Sequence, residues 1–403
     1  MRLRELHNGH IIAACAFFIP TLGVYLSGFF IPLLILMALL ALVLSFWKKT
    51  SRLKIPWLTA TFFIVLVSWG GLSSLWSVAP ERSVIQALEL LGIAACGLML
   101  LAGASTLEPH ERRPISLALI AGFATATVFM TIEVFTDLAI YRLENPPWGN
   151  EYALYIKFNR WTALSALLVW PILLSIGTRP RPYMVVTIFV LLFVILIQLE
   201  NSSSLVGLCI GLVAFVLALN SPRRTAIAFI CLTMAGTALA PNVPRILPEP
   251  KVLWEAVPAI PTSVIHRLHI WRYVADRVEE RPFTGWGLDT SRDMPGRAQV
   301  VWDVGKGGEV LPLHPHNAIL QWWMELGLFG AAIGGLFMTW LFVAIQRKQM
   351  DPFQNAVFIG ALVTGIVIAS TSYGIWQSWW LALLFLITAV MVGLGKEEGA
   401  KPC

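Results

Sequence analysis

Charge is scarce in this chain. Of its 403 residues 13% are Asp, Glu, Lys or Arg and 57% are hydrophobic, a balance far from that of a soluble domain. Cysteine is also sparse: Cys15, Cys96, Cys209 and Cys231 sit inside apolar runs and Cys403 is terminal, so no disulfide or metal framework is implied. There is no Walker A loop, which speaks against direct ATP drive. There is no Asp-x-Asp pair, which speaks against a nucleotide-sugar transferase gripping its diphosphate through a divalent metal. His-Glu-x-x-His is missing, and with it the zinc proteases. No Gly-x-Ser-x-Gly pattern surrounds Ser202, Ser203 and Ser204, so they do not form a nucleophile elbow. No basic run accompanies a nucleic-acid motif, so the net charge of +6 does not indicate a nucleic-acid partner.

What fills the chain is long apolar segments. Runs such as IPLLILMALLALVLSF lack the alternation of a lipid-facing barrel strand, and a helix needs roughly 20 apolar residues to cross about 30 Å of hydrocarbon. Windows of that kind predict twelve membrane helices, near 10–27, 29–47, 57–75, 83–103, 115–135, 161–178, 183–199, 203–220, 224–241, 318–345, 354–372 and 375–394. The first follows basic residues like a signal peptide but has no prompt cleavage pattern, so it reads as a retained anchor. The expected fold is an all-α, polytopic integral membrane protein with helices 1–9 in residues 1–241, a large partly helical loop over 242–317, and helices 10–12 with a cytoplasmic C-terminus in 318–403. Lys and Arg set its orientation. Arg2, Arg4, Lys48, Lys49, Arg52, Lys54, Arg112, Arg113, Arg179, Arg181, Arg223, Arg224, Arg347, Lys348, Lys396 and Lys401 fall on one side, which reads as cytoplasmic. Only Arg82, Arg142, Lys157 and Arg160 fall in the short connections of the other.

The polar chemistry gathers on that second side. The large loop carries nine cations and nine acids between Arg245 and Glu309, and loops of this length are uncommon unless they fold or work. Val264, Leu268, Trp271, Ala275 and Val278 recur at spacings of four and three residues, which predicts an amphipathic helix ended by Arg281-Pro282 and lying against the membrane surface or the bundle. Arg267 and Arg277 fall on its other face and Arg272 near the edge. The FTGWG that follows is a glycine turn that lets backbone approach something closely. A second polar segment, from about Thr136 to Arg160, holds LENPPWGNEY and KFNRW.

The loop ends in HPHNAILQWWMELGLFG. Pro315 suits a turn before a helix, Asn317 is a good N-cap, and the free N–H groups of a helix start favour an anion and an uncharged neighbour. His314 and His316 therefore stand at the mouth of a helix where a neutral imidazole meets an anionic ligand. Each feature alone has a plainer reading: an interfacial histidine, an arginine snorkelling to lipid phosphate, Trp322 and Trp323 as an aromatic belt. Glu325, two turns into the helix, needs a partner or a cavity and reads as a hydrogen-bonding residue of the bundle.

Taken together, HPHNAILQWWMELGLFG, the upstream RLHIWRYVADRVEERPFTGWG, WSVAPERS and FNRWTALSALLVWP resemble the O-antigen ligase and O-antigen polymerase superfamily of bacterial membrane glycosyltransferases. The resemblance implies an enzyme of the inner membrane, facing the periplasm, that uses no cofactor and no metal. It transfers a glycan with inversion from undecaprenyl pyrophosphate to a hydroxyl acceptor, which for the ligase is a sugar of lipid A-core; donor, acceptor and membrane lipids are its partners. His316 is then the catalytic base, Arg267 the loop arginine that holds the pyrophosphate, and His314, Asn317 and Glu325 supporting residues. Many members carry a further arginine where this chain reads ENSSSLVGL, with Ser203 or Ser204 in its place, so Arg160 or Arg272 is expected to supply the second clamp. An O-antigen polymerase or a protein O-oligosaccharyltransferase fits the same motifs. A polysaccharide or lipid transporter fits less well, because the charges gather at one face near one end and no repeat is visible.

Overall fold

The computed structural model describes residues 7–48, 53–136, 138–144, 158–177, 180–199, 201–257, 259–301 and 308–395. The charges at Arg2, Arg4, Lys49, Arg52, Lys157, Arg179, Lys306, Lys396 and Lys401, the LENPPWGNEY segment beyond Glu144, and Cys403 lie outside them. Each of the twelve apolar windows is a helix: α1 Asn8–Tyr25, α2 Phe30–Lys48, α3 Trp57–Leu72, α4 Pro80–Ala104, α5 Arg112–Phe135, α7 Asn159–Ser175, α8 Pro182–Gln198, α9 Ser202–Asn220, α10 Pro222–Leu239, α14 Ala318–Arg347, α15 Pro352–Ala369 and α16 Ser378–Leu394. Eight segments are long and apolar enough to cross a membrane, and Pro182–Ile197 and Ser378–Leu394 are shorter apolar helices. The protein is an all-α, multi-pass membrane protein.

Local chemistry explains the helix starts. Proline opens α4, α8, α10 and α15, where its missing N–H costs nothing and its fixed φ fits. Asn201 caps α9 by accepting from the Ser204 N–H at 3.0 Å, and Asp351 caps α15 by accepting from Gln354 at 3.1 Å. Between helices the close approaches are made by small residues. On α9, a Cβ at Gly211 would stand 2.0 Å from the Thr364 hydroxyl, and at Gly360 on α15 it would stand 2.4 Å from the Trp170 ring. In lipid, such van der Waals closeness replaces the hydrophobic drive.

Short elements fill the rest: α6 Ala139–Glu144 in the second polar segment, and α11 Val243–Ile246, α12 Pro250–Ala256 and α13 Thr262–Glu280 in the large loop. A two-residue antiparallel pair, β1 Val300–Val301 and β2 Gly308–Glu309, closes the loop. The amphipathic helix is α13, and its buried face takes in Leu268, Ala275 and Val278 of the expected stripe but is broader than the periodicity suggests. Ile265, Leu268, Ile270, Val274, Ala275 and Val278 are buried, whereas Val264 and Trp271 are only partly so. Covering on two flanks explains the breadth: Ile270, Val274 and Val278 join Leu320 and Met324 of α14 in a separate apolar cluster, while Arg245 of α11 reaches back to Asp276 and Glu279.

The large loop is stitched into α14 at a break in that helix. Gly327 has φ 64° and ψ −160°, and the FTGWG turn enters the gap. The Trp286 N–H donates to the Met324 carbonyl at 2.9 Å, Gly287 N–H to Glu325 at 2.8 Å, and Leu328 N–H to Pro282 at 2.8 Å. Backbone groups freed by the break are thus satisfied by the loop, as they must be where water is scarce. Gly285 makes this possible, since a Cβ there would lie 2.4 Å from the Glu325 carbonyl and its φ is +66°. The thirty residues of α14 exceed the roughly 20 that a crossing requires, and the loop docks on them at Met324, Glu325 and Leu328.

Candidate active site

Asn317 fixes the entry to α14 by accepting from the Ile319 and Leu320 N–H groups, both at 3.1 Å. Immediately before it, His316 has φ +53°, a left-handed conformation that costs a non-glycine residue about 1–3 kcal/mol and persists only where its surroundings hold it. Two contacts do so. The His316 N–H donates to Nδ1 of His314 at 3.2 Å, and the His316 ring Nδ1 meets the Ser372 carbonyl. A carbonyl can only accept, so Nδ1 carries the proton and Nε2 is the unprotonated, basic nitrogen. His314 is buried, its ring 4.2 Å from that of His316 and packed on Gly374, where a Cβ would stand 3.0 Å from the imidazole.

Burial holds both imidazoles uncharged. It pulls His316 down to about 4 despite the upward pull of the Ser372 carbonyl, and the Arg267 and His266 charges add to the depression. His314 falls to about 3 for the same first reason, helped by His316, Arg292 and Arg267. Arg267 itself is depressed by burial. Its charge acts on both imidazoles, and among the described residues it has no acidic partner. The neighbouring His266 donates from Nε2 to the Glu309 carbonyl at 2.8 Å. Trp271, one turn along α13 from Arg267, donates to the Pro315 carbonyl at 3.0 Å and so locks the arginine's helix to the histidine turn.

Glu325 is fully buried and fully engaged. Its carboxylate accepts from the Asp289 N–H at 2.7 Å, the Ser291 N–H at 3.3 Å and the Ser291 hydroxyl, from Gln321 Nε2 at 3.0 Å, and from Trp376 Nε1. That set ties the large loop to α14 and to the connection between α15 and α16, and it leaves the carboxylate no opening toward a reacting group. Asp289, whose own carboxyl burial pushes up to about 6, sits at the edge of the same cluster.

The connection over residues 370–377 is the part of the site that sequence reasoning missed. Besides the Ser372 carbonyl on His316, it offers the Thr371 carbonyl to the Ser203 hydroxyl at 3.0 Å, the Ile375 N–H to Gln321 at 3.0 Å and the Tyr373 hydroxyl to the Asn159 carbonyl at 2.7 Å. The only hint was TSYGIWQS, polar and glycine-bearing between two apolar runs.

The other expected residues fall elsewhere. Arg272 donates to the Leu247 carbonyl at 2.8 Å and lies 3.8 Å from the exposed Glu249, so it braces α11 and α12 against α13 rather than joining Arg267. Arg160 opens α7, donates to the Ser27 hydroxyl at 3.0 Å and lies 4.9 Å from the centre of the Trp379 ring. Ser203 and Ser204 are used inside the bundle, Ser204 against Thr162 at 3.3 Å. Among the described residues no three His, Cys, Asp or Glu side chains converge as metal ligands.

With this geometry in view, residues 166–334 match the family model for O-antigen ligase, a stretch running from α7 through the large loop to the middle of α14. That match and the relatives named polysaccharide ligase support the O-antigen ligase superfamily for this chain. It is 27% identical over 420 residues to a protein of Rickettsia conorii named "Putative polysaccharide ligase", covering 96% of this chain and 98% of that one. A Rickettsia bellii protein of the same name is 27% identical over 347 residues, 83% of this chain and 80% of its own. One from Rickettsia prowazekii is 25% identical over 419 residues, 96% and 98% respectively. Within the superfamily match lie Arg267, Arg272, His314, His316, Asn317 and Glu325, whereas Arg160 precedes it.

Proposed function

We propose that the chain is a ligase of lipid-linked polysaccharide, an inverting glycosyltransferase that moves O-antigen glycan from undecaprenyl pyrophosphate to a sugar hydroxyl of lipid A-core at the periplasmic face of the inner membrane. The observation that carries this reading is the His316 ring, tied at Nδ1 to a backbone carbonyl and left basic at Nε2, within the field of a guanidinium that has no acidic partner among the described residues. A sugar hydroxyl is a weak nucleophile, and a positioned base accelerates its attack by about 10²–10⁴. In the proposed step His316 Nε2 takes the acceptor's hydroxyl proton as that oxygen bonds to the anomeric carbon of the donor sugar. The bond from that carbon to the pyrophosphate oxygen breaks with its electron pair, and Arg267 holds the charge that develops on the leaving lipid pyrophosphate. The energy of the transfer comes from the pyrophosphate linkage, so neither nucleotide nor cofactor takes part. His314 and Asn317 hold the turn, and Glu325 holds the loop to the helix.

The polypeptide names of the Rickettsia relatives favour ligase over polymerase, as does a single large loop late in the chain. Full-length protein reconstituted with lipid-linked O-antigen and lipid A-core tests the reading. Glycan appearing on lipid A-core, undiminished by a chelator, is the expected result. Glycan lengthening on the carrier alone would make it a polymerase, and strong stimulation by magnesium or manganese would overturn charge neutralisation by Arg267.

A further inference from the structure

The transfer proposed above needs two lipids, yet Arg267 accounts for an anion on only one. A second cation stands on the far side of the 370–377 connection. Arg160 is exposed and, among the described residues, has no acidic partner. Three separate elements build its seat: the start of α7, the Ser27 hydroxyl just past α1 at 3.0 Å, and the buried Trp379 ring of α16 at 4.9 Å. Trp379 is in turn braced edge-on by Tyr373 at 4.8 Å. A guanidinium held over an indole is pre-ordered, and among the described residues its remaining N–H groups meet no acceptor and can fork onto a phosphate.

The connection makes this seat neighbour to the base without merging it with Arg267. Ser372 gives its carbonyl to His316, and the next residue, Tyr373, gives its hydroxyl to the carbonyl of Asn159, adjacent to Arg160, at 2.7 Å. The charge of Arg267 acts on both histidines, whereas that of Arg160 acts on Tyr373. Neither histidine feels the charge of Arg160, which sets the two cations apart as sites for different anions.

We propose that Arg160, seated on Trp379 and Ser27, binds a phosphate of the acceptor saccharolipid and thereby holds its hydroxyl in reach of His316. This rests on the reading of the chain as a lipid-linked glycan transferase. It assigns the two cations to different substrates: Arg267 to the donor, Arg160 to the acceptor. Tyr373 then links the acceptor seat to the carbonyl that orients the base.

The test uses full-length protein in phosphatidylcholine vesicles, with lipid-linked donor and with lipid A-core either intact or stripped of its phosphates. Arg160→Gln should raise the KM for intact acceptor about tenfold, the scale of one charge-assisted contact to phosphate, while donor KM and kcat stay near wild type. Arg160→Lys should recover part of the loss. Wild type should show the same rise with stripped acceptor, and Arg160→Gln should show none beyond its own. A rise in donor KM instead, or no change in either constant, overturns the assignment. So does a defect that appears only when phosphatidylglycerol is added and ignores the acceptor's phosphates, which would give the seat to bulk phospholipid. The underlying reading fails separately, if wild-type protein transfers no glycan or if His316→Ala transfers it normally.

Discussion

Two polar centres, the half-buried His316 just before α14 and the buried Glu325 two turns inside it, are built on opposite rules. Around Glu325 the charge is answered from every side, by two backbone N–H groups, a hydroxyl, an amide and an indole. Around His316 the reverse holds: among the described residues one ring nitrogen is fixed, the other meets no donor, and Arg267, whose charge acts on the ring, meets no acid. A saturated network holds a structure together, because every partner would be costly to leave unpaired. An unsaturated one stores capacity for a ligand. The contrast separates scaffold from chemistry within a single motif, HPHNAILQWWMELG, and substitutions at the two centres should therefore fail in different ways.

The largest effect is expected at the base. His316→Ala should cut turnover by about 10²–10⁴ while the protein stays in the membrane with an unchanged unfolding temperature, read by quantified glycan transfer and thermal unfolding in detergent. Arg267→Gln comes next, with a loss of about 10²–10³ in kcat and again no loss of fold. At the saturated centre the pattern inverts. Glu325→Ala strands several buried donors and should destabilise the protein by about 3 kcal/mol, with activity per folded molecule falling far less. If Glu325→Ala were as stable as wild type but inactive, the division into scaffold and chemistry would collapse. The smallest effect belongs to Arg272→Gln. Its carbonyl contact and its distant, exposed partner Glu249 are worth less than about 1 kcal/mol, and transfer should stay within about threefold of wild type.

Acidity offers a finer cut. Because burial lowers His316 from 6.5 to about 4, the base is already deprotonated at neutral pH, so kcat/KM should stay flat on acidification and fall only as pH approaches 4. The proposed pyrophosphate donor would bring negative charge to the imidazole and favour its protonated form. The acidic limb of kcat should therefore lie above that of kcat/KM.

Much of the fold was legible because apolar runs in lipid have one outcome: a run long enough to cross closes its own backbone hydrogen bonds as a helix. The Asn317 cap and the glycine approach at FTGWG were legible too, each being a local rule written in one or two residues. The full width of the buried face of α13 was not, since periodicity located Leu268, Ala275 and Val278 but says nothing of the second flank that Ile270 and Val274 meet. Arg267 and Arg272 look alike in sequence although one stands by the histidines and the other braces α11 and α12. The least legible element was the partner of His316 itself. A backbone carbonyl at Ser372 leaves no trace in residue type, and no spacing joins positions 56 residues apart. The serines of ENSSSLVGL show the converse, since they read as a missing clamp but instead link α9 to the Thr371 carbonyl and to α7.

The account turns on one ring. Selective ¹⁵N labelling of histidine, with the His316 signals assigned by difference against His316→Ala, reads its tautomer and charge directly. The account predicts a neutral imidazole with the proton on Nδ1 at pH 7, unchanged down to about pH 5. A proton on Nε2, or an imidazolium at pH 7, would contradict it.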